Sequence, residues 1–265
     1  AGSTILFPPF YDATYGGDYT SRSELINEGF LLALGSAEAP IVFTSAAETP
    51  SAPGAWGGIR SRGTARCEHA TVELGLYGLK CTARYEADQI EIRQCNVRRT
   101  GGDGILVYAE TANPVSATVE GNSVSENLGS GITCRAYPGS VSLTVRVCGN
   151  VVAGNGSRGI VCAVSDYPMQ IAAIFGSVCN NTVYSHVDRG VCCLTERYGR
   201  SEILVDNNTI YQSGMGIYCS YTSTVRNSVL EVRNNTVHTG TEGVVVYAQD
   251  ASIMPVIRDN LIHDN

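Results

Sequence analysis

Carboxylates, tyrosines and arginines recur at one point of this chain, just after each of several short apolar segments. Glu110, Asp166, Glu196 and Asp250 fall there, with Tyr108, Tyr137, Tyr167, Tyr198 and Tyr247 and with Arg135 and Arg197. Acidic and aromatic side chains on neighbouring loops are the groups that grip a glycan. Hydrolysis needs two carboxylates about 5 to 9.5 Å apart across the glycosidic bond. Elimination needs an Arg or Lys base, usually beside a carboxylate cluster that holds calcium against a uronate. The candidate glycan-contact rim is Glu110, Asp166, Glu196, Tyr137, Tyr167 and Tyr198; the opposing reading makes these ordinary solvated turn residues. No catalytic set is complete, and the pattern implies no cofactor or metal.

Cysteine and histidine chemistry narrows further. The ten cysteines include no C-x-x-C pair, which argues against a thiolate zinc site or a thioredoxin-like motif. Of the four histidines, His238 and His263 continue a column with Tyr184 and Tyr211. Such a column is either a structural ladder of stacked rings or a platform for a sugar.

The elements that must position these groups follow from a repeat. Gly104, Gly131, Gly159, Gly190, Gly216 and Gly243 are spaced by 27, 28, 31, 26 and 27 residues, each followed by Ile or Val. Asn122, Asn150, Asn181, Asn208, Asn235 and Asn260 drift with them, at spacings of 28, 31, 27, 27 and 25. Two columns moving together mean one structural unit stacked many times. Period-two alternation gives each unit three short strands. In the first, Ile59, Leu79, Ile105, Ile132, Ile160, Val191, Ile217 and Val244 point inward. Two places on come Cys81, Val107, Cys134, Cys162, Cys193, Cys219 and Val246, also inward. Val replaces Cys there twice, so these cysteines read as small apolar filler, with disulfides between neighbours as the alternative.

The second strand buries Ile92, Val119, Val147, Val178, Val205, Val232 and Ile257 and the third Val97, Val124, Val152, Val183, Ile210, Val237 and Ile262. The next position outward from the second strand reads Arg93, Glu120, Cys148, Cys179, Asp206, Arg233 and Arg258. Adjacent strands lie about 4.8 Å apart, inside the Cα window for a disulfide. Cys148 and Cys179 are therefore the expected bridge, with Cys67 and Cys95 a weaker pair. The Asn column at each bend can stack its amides into a hydrogen-bonded ladder.

The segments Asn208-Thr-Ile-Tyr-Gln-Ser-Gly-Met-Gly-Ile217 and Asn235-Thr-Val-His-Thr-Gly-Thr-Glu-Gly-Val244, with the entry motif Pro53-Gly-Ala-Trp-Gly-Gly-Ile59, resemble the right-handed parallel β-helix superfamily often called pectin-lyase-like. The resemblance spans residues 29–265 and implies an all-β solenoid of about eight to nine coils. It is weak for function, because that superfamily hosts lyases, hydrolases, epimerases, adhesins and structural shafts. The Asn-Thr-Asp, Asp-Asp and Gly-His-Gly groups of polygalacturonase-like hydrolases are absent, as is the Asp-Pro-His signature of mannuronan epimerases.

The outer face of the first strand reads Arg60, Lys80, Leu106, Thr133, Val161, Cys192, Tyr218 and Val245, with no charge from Leu106 onward. A bare row of this kind marks an interaction site, covered by the chain's own loops, a neighbouring subunit or a ligand. Residues 1–28 lie outside the repeat and read as an extended aromatic arm carrying Ile5, Leu6, Phe7, Phe10 and Tyr11, with Ser21-Arg-Ser-Glu24 as a capping box for a short helix. The last coil, with Leu261 and Ile262, is followed by no amphipathic cap. The leading expectation joins these features: copies interlock end to end in an extracellular filament, the arm or first coil of one covering the last coil of the next. An arm folded back on its own chain is the alternative. The expected assembly surface is Ile5, Leu6, Phe7, Phe10, Tyr11, Leu261, Ile262, Leu106, Val161, Tyr218 and Val245.

Four sequons, at Asn155, Asn180, Asn207 and Asn234, are candidates for glycosylation in a secreted chain; the last three also fit an Asn-Asn-Thr bend repeat. Net charge is −7, charged residues are 16%, and Lys80 is the sole lysine. With no basic tract, nucleic acid is not an expected partner. No apolar run is long enough to span a bilayer. Ala1-Gly2-Ser3 suits the start of a processed chain, and the expected location is extracellular or at the cell surface, with other copies and cell-surface glycans as partners.

Overall fold

In the computed structural model, residues 2–10, 17–47, 52–85, 88–111, 113–137, 142–164, 172–196, 199–222, 228–238, 240–249, 253 and 255–263 are described. Their strands form three parallel sheets of ten, nine and nine strands. Sheet A runs from Thr4–Phe7 through Asn96–Arg98 and Thr182–Tyr184 to Leu261–His263; sheet B from Glu24–Asn27 through Ile105–Ala109 to Glu242–Ala248; sheet C from Leu31–Leu34 through Val115–Glu120 to Val256–Arg258. Each coil visits B, then C, then A, so every strand pairs with its equivalents one coil away. This is the parallel β-helix expected from the repeat. No helix occurs among the described residues, and none is long and apolar enough to cross a membrane.

The register reproduces the columns read from the repeat. Ile59, Leu79, Ile105, Ile132, Ile160, Val191, Ile217 and Val244 pair successively along sheet B. Cys81, Cys134, Cys162, Cys193 and Cys219 lie in the next inward column, buried as free thiols. Burial raises the proton affinity of Cys81 and Cys134, to a pKa of about 12 in each. A thiol there behaves as a small hydrophobe. On the outer face of sheet C, Glu68, Arg93, Glu120, Cys148, Cys179, Asp206 and Arg233 fall in one column. The Arg93–Glu120 and Arg233–Asp206 ion pairs flank the Cys148–Cys179 pair, whose Cα atoms are 4.6 Å apart with the sulfurs at bonding distance.

The bends carry two polar ladders. In the first, each Asn Oδ1 accepts the backbone N–H and the Nδ2 of the Asn one coil earlier: Asn122 to Asn150, Asn150 to Asn181, Asn181 to Asn208 and Asn208 to Asn235, all at 2.9–3.0 Å. The residue before each ladder Asn has positive φ; Gly121 and Gly149 fill it early in the stack and Asn180, Asn207 and Asn234 later. Asn tolerates that conformation better than other side chains, which accounts for the Asn-Asn-Thr pattern on structural grounds. The second ladder runs Thr100, Asn127, Asn155, His186. Asn155 is one of its buried rungs, so its amide is not available for a glycan. That corrects one of the four sequon candidates; Asn180, Asn207 and Asn234 are exposed.

The N-terminal residues depart from the expected arm and cap. Thr4–Phe7 pairs in parallel with Ile41–Ser45, so residue 28 does not divide an arm from the coils. Phe7 stacks on the buried Trp56 with ring centroids 4.0 Å apart, and the Trp56 indole donates to the Glu73 carbonyl. Burying two aromatic rings against each other outweighs leaving the arm in water, and Phe7 is thus an intramolecular contact. Ile5, Leu6 and Phe10 stay exposed; Tyr11 lies outside the described residues. No helix follows Ser21: Glu24–Asn27 is the first strand of sheet B, paired with Gly58–Arg62. Glu24 does cap backbone amides, but those of Asp18 and Tyr19 in a turn.

Candidate functional site

Sheet B's outer face is divided between two chemistries. Around Val161 and Cys192 it is apolar and covered: Val161, Ala163 and Cys192 pack with Leu194 and Tyr218, and the Arg189 guanidinium lies 4.0 Å from the Tyr218 ring centroid. Leu106 and Val161 are each only 2% exposed within the single chain. The expected bare stripe is therefore not a free surface at those two residues, whose side chains are covered by the chain itself and out of reach of a second copy. Tyr218 and Val245 are half-buried.

Toward the N-terminal coils the same face is polar and aromatic. Because alternate residues of parallel strands share a face, the register lays out a grid: Arg60 and Arg62 on one coil, Lys80, Thr82 and Arg84 on the next, then Leu106, Tyr108 and Glu110, then Thr133, Arg135 and Tyr137. The turn ahead of the first sheet B strand leans over this grid. There Asp18 pairs with both Arg60 and Arg62, and Glu28, immediately after that strand, pairs with Arg62. Asp103 is held by the Ser130 amide at 2.8 Å and the Thr133 hydroxyl at 3.0 Å.

Lys80 sits at the centre. Its Nζ is 5.2 Å from the Tyr77 ring centroid and 5.8 Å from that of Tyr108. Tyr108 meets Tyr137 edge-on at 5.0 Å, and Tyr77 meets Tyr19 at 6.1 Å. Burial lowers the proton affinity of Lys80, and the positive charges of Arg60 and Arg62 lower it further, against the opposing pull of Glu110 and Glu24. Burial raises the pKa of the Tyr108 phenol, and Tyr137 beside it adds to the effect; Tyr19 is raised by burial and by its bond to Tyr77. The site thus joins an amine biased toward its neutral form to phenols biased toward theirs. Among the described residues neither Lys80 nor Arg135 has an ion-pair partner, whereas the Asp18 and Glu28 carboxylates are already engaged. That leaves an anion as the missing complement.

Of the expected rim, Glu110 and Tyr137 belong to this cluster. Glu196 is exposed at the end of Arg189–Thr195, three coils away by register. At roughly 4.8 Å per coil that separation is about 14 Å, beyond the two-carboxylate spacing of hydrolysis. Asp166, Tyr167 and Tyr198 fall outside the described residues. Reading the sequence alone missed Tyr19 and Tyr77, which precede the strands they lean over. The charge at Lys80 was visible in the sequence, where Arg60 and Lys80 precede the uncharged part of the same column. No group of three or more His, Cys, Asp or Glu side chains suited to a metal ion occurs among the described residues.

Fold and site together define a parallel β-helix with a polar, aromatic patch on the outer face of one sheet. The chain matches no family model, and no curated protein sequence matches it. Among solved structures it is similar to the A-module of the mannuronan C-5 epimerase AlgE4 of Azotobacter vinelandii, at 15% identity over 98% of this chain and 87% of that one, with a TM-score of 0.48. The AlgE6 A-module of the same organism aligns at 14% identity over 99% and 91% of the two chains, with a TM-score of 0.28. The likeness is one of coil architecture and carries no chemistry across.

Proposed function

We propose that the protein is an extracellular β-helix that binds an acidic saccharide across sheet B, and that Lys80 is the base of an elimination there. The observation that carries this reading is the unpaired Lys80 amine held between Tyr77 and Tyr108, one coil from Arg60 and two from Arg135. Arg135 pairs with the substrate carboxylate, which acidifies the carbon beside it. Lys80 Nζ takes that carbon's proton, and the C–H electron pair becomes a C=C bond as the neighbouring C–O bond breaks. The leaving oxygen takes a proton from the Tyr108 or Tyr137 phenol, and the proton on Lys80 returns to the phenolate through water. Secretion is supported by the Cys148–Cys179 pair at bonding distance, which an oxidising compartment preserves.

The test is incubation with uronate-containing polysaccharides while following the ultraviolet absorbance of the unsaturated product. Lys80→Met should abolish the signal, and Arg135→Met should weaken binding. Binding without product removes the elimination; binding of uronates unchanged in Lys80→Met overturns the site.

A second reading, self-association, is favoured by apolar side chains exposed on outward-facing positions, Leu6 and Leu261 on sheet A and Leu32 and Leu34 on sheet C. In a filament these faces meet on successive copies. Sedimentation should show concentration-dependent growth that Leu261→Lys suppresses. A monomer at every concentration sinks it.

A further inference from the structure

On the outer face of sheet A one column reads Glu73, Arg98, Ser125, Ala153, Tyr184, Tyr211, His238, His263 from coil to coil. Tyr184 and Tyr211 stack with centroids 4.7 Å apart and planes within 3°, and His238 and His263 continue the row edge-on at 4.8 Å. The ring spacing is the coil spacing. The row stops at Tyr184, because the next two positions carry only Ala153 and Ser125. Beyond them stands the Arg98–Glu73 ion pair.

The gap is an open depression of about 350 Å³ lined by Ser123, Ser125, Glu126, Val151, Ala153 and Tyr184, among others. That volume is at the lower end of the range for small-ligand sites. Its floor is apolar at Ala153 and at Val151, which is 44% exposed. Its polar edge consists of serine hydroxyls and the Glu126 carboxylate, which has no ion-pair partner among the described residues. A flat ring with apolar faces and hydroxyls around its rim matches all three features.

We propose that this depression binds one pyranose ring of an uncharged saccharide, stacked on Tyr184 as the next rung of the row. Glu126 accepts hydrogen bonds from sugar hydroxyls and repels a carboxylate, so the site selects against the acidic sugars assigned to sheet B. The two sites lie on different sheets and are independent.

The test is saturation-transfer NMR with neutral oligosaccharides on the full chain, with Ala153→Tyr and Tyr184→Ala variants and Lys80→Met as a control. Ala153→Tyr supplies the missing rung from the chain itself and should weaken binding at least tenfold, with its circular dichroism and melting unchanged. Tyr184→Ala should do the same, whereas Lys80→Met should bind neutral sugars normally. Binding that survives Ala153→Tyr, a preference for uronates over neutral sugars that persists in Lys80→Met, or no binding of neutral sugars at all would each overturn the proposal. Loss of uronate binding in Lys80→Met alone bears only on sheet B.

Discussion

The backbone N–H of Asn155 donates to Nδ1 of His186 at 3.3 Å, while Nε2 of the same ring lies 3.1 Å from the Val152 carbonyl. One nitrogen must accept and the other donate, so the ring is neutral with its proton on Nε2. His186 stands where an asparagine stands one and two coils earlier, and so ties the second ladder to a titratable group.

Acid should therefore loosen the coils before it reaches the carboxylates. Burial lowers the His186 proton affinity in the folded chain, against smaller opposing effects of Val152 and Asn155. Above about pH 6.5 neither folded nor unfolded chain protonates this ring. As pH falls through that value the unfolded chain takes up a proton that the folded one refuses, and stability declines until the folded pKa is reached. Denaturation midpoints should fall between about pH 7 and pH 5, and His186→Asn, which restores the ladder residue, should flatten the curve. An unchanged slope in that variant would refute the assignment.

Asn181 is a fully bonded rung in the middle of the first ladder. It accepts from the Asn150 amide and side chain and donates to the Val147 carbonyl and to Asn208. Asn181→Ala leaves several buried polar groups without partners, a loss of about 3 kcal/mol. Urea unfolding of the variant measures it.

Alkylation should separate the cysteines into two classes. Without reductant, iodoacetamide should modify none in the native chain and only the eight free thiols after unfolding, as mass spectrometry would read. Cys148→Ser opens a link across 31 residues and should lower stability by about 3 kcal/mol.

Gly176 is a backbone requirement. It sits within Ala173–Cys179 at φ +135°, and a Cβ there would run into the Val145 carbonyl oxygen. Gly176→Ala should cost more than about 1 kcal/mol, seen as a lower melting temperature and reduced soluble yield.

How much was legible in the sequence follows from how each feature is encoded. The inward columns, the Asn ladder and the adjacency of Cys148 with Cys179 depend only on the period of the repeat, since in-register parallel stacking converts sequence spacing directly into neighbours. The second ladder was legible in principle, because Asn127 and Asn155 keep the 28-residue step of Asn122 and Asn150; its extension to His186 changes residue type and hid the pattern. The fate of the first strand was not encoded in any period. Phe7 and Trp56 are far apart in sequence, and only packing placed one ring on the other.

By itself, then, the sequence determined the parallel coils, their inner and outer faces and their polar bends, because a periodic pattern admits only one stacking that buries every apolar column. Tertiary structure alone decided which outer faces are open. It covered Leu106 and Val161, buried the amide of Asn155, drew Tyr19 and Tyr77 around Lys80, and ended the ring row at Tyr184. Those outcomes depend on turns outside the repeat and on side-chain reach across coils, which no spacing along the chain records.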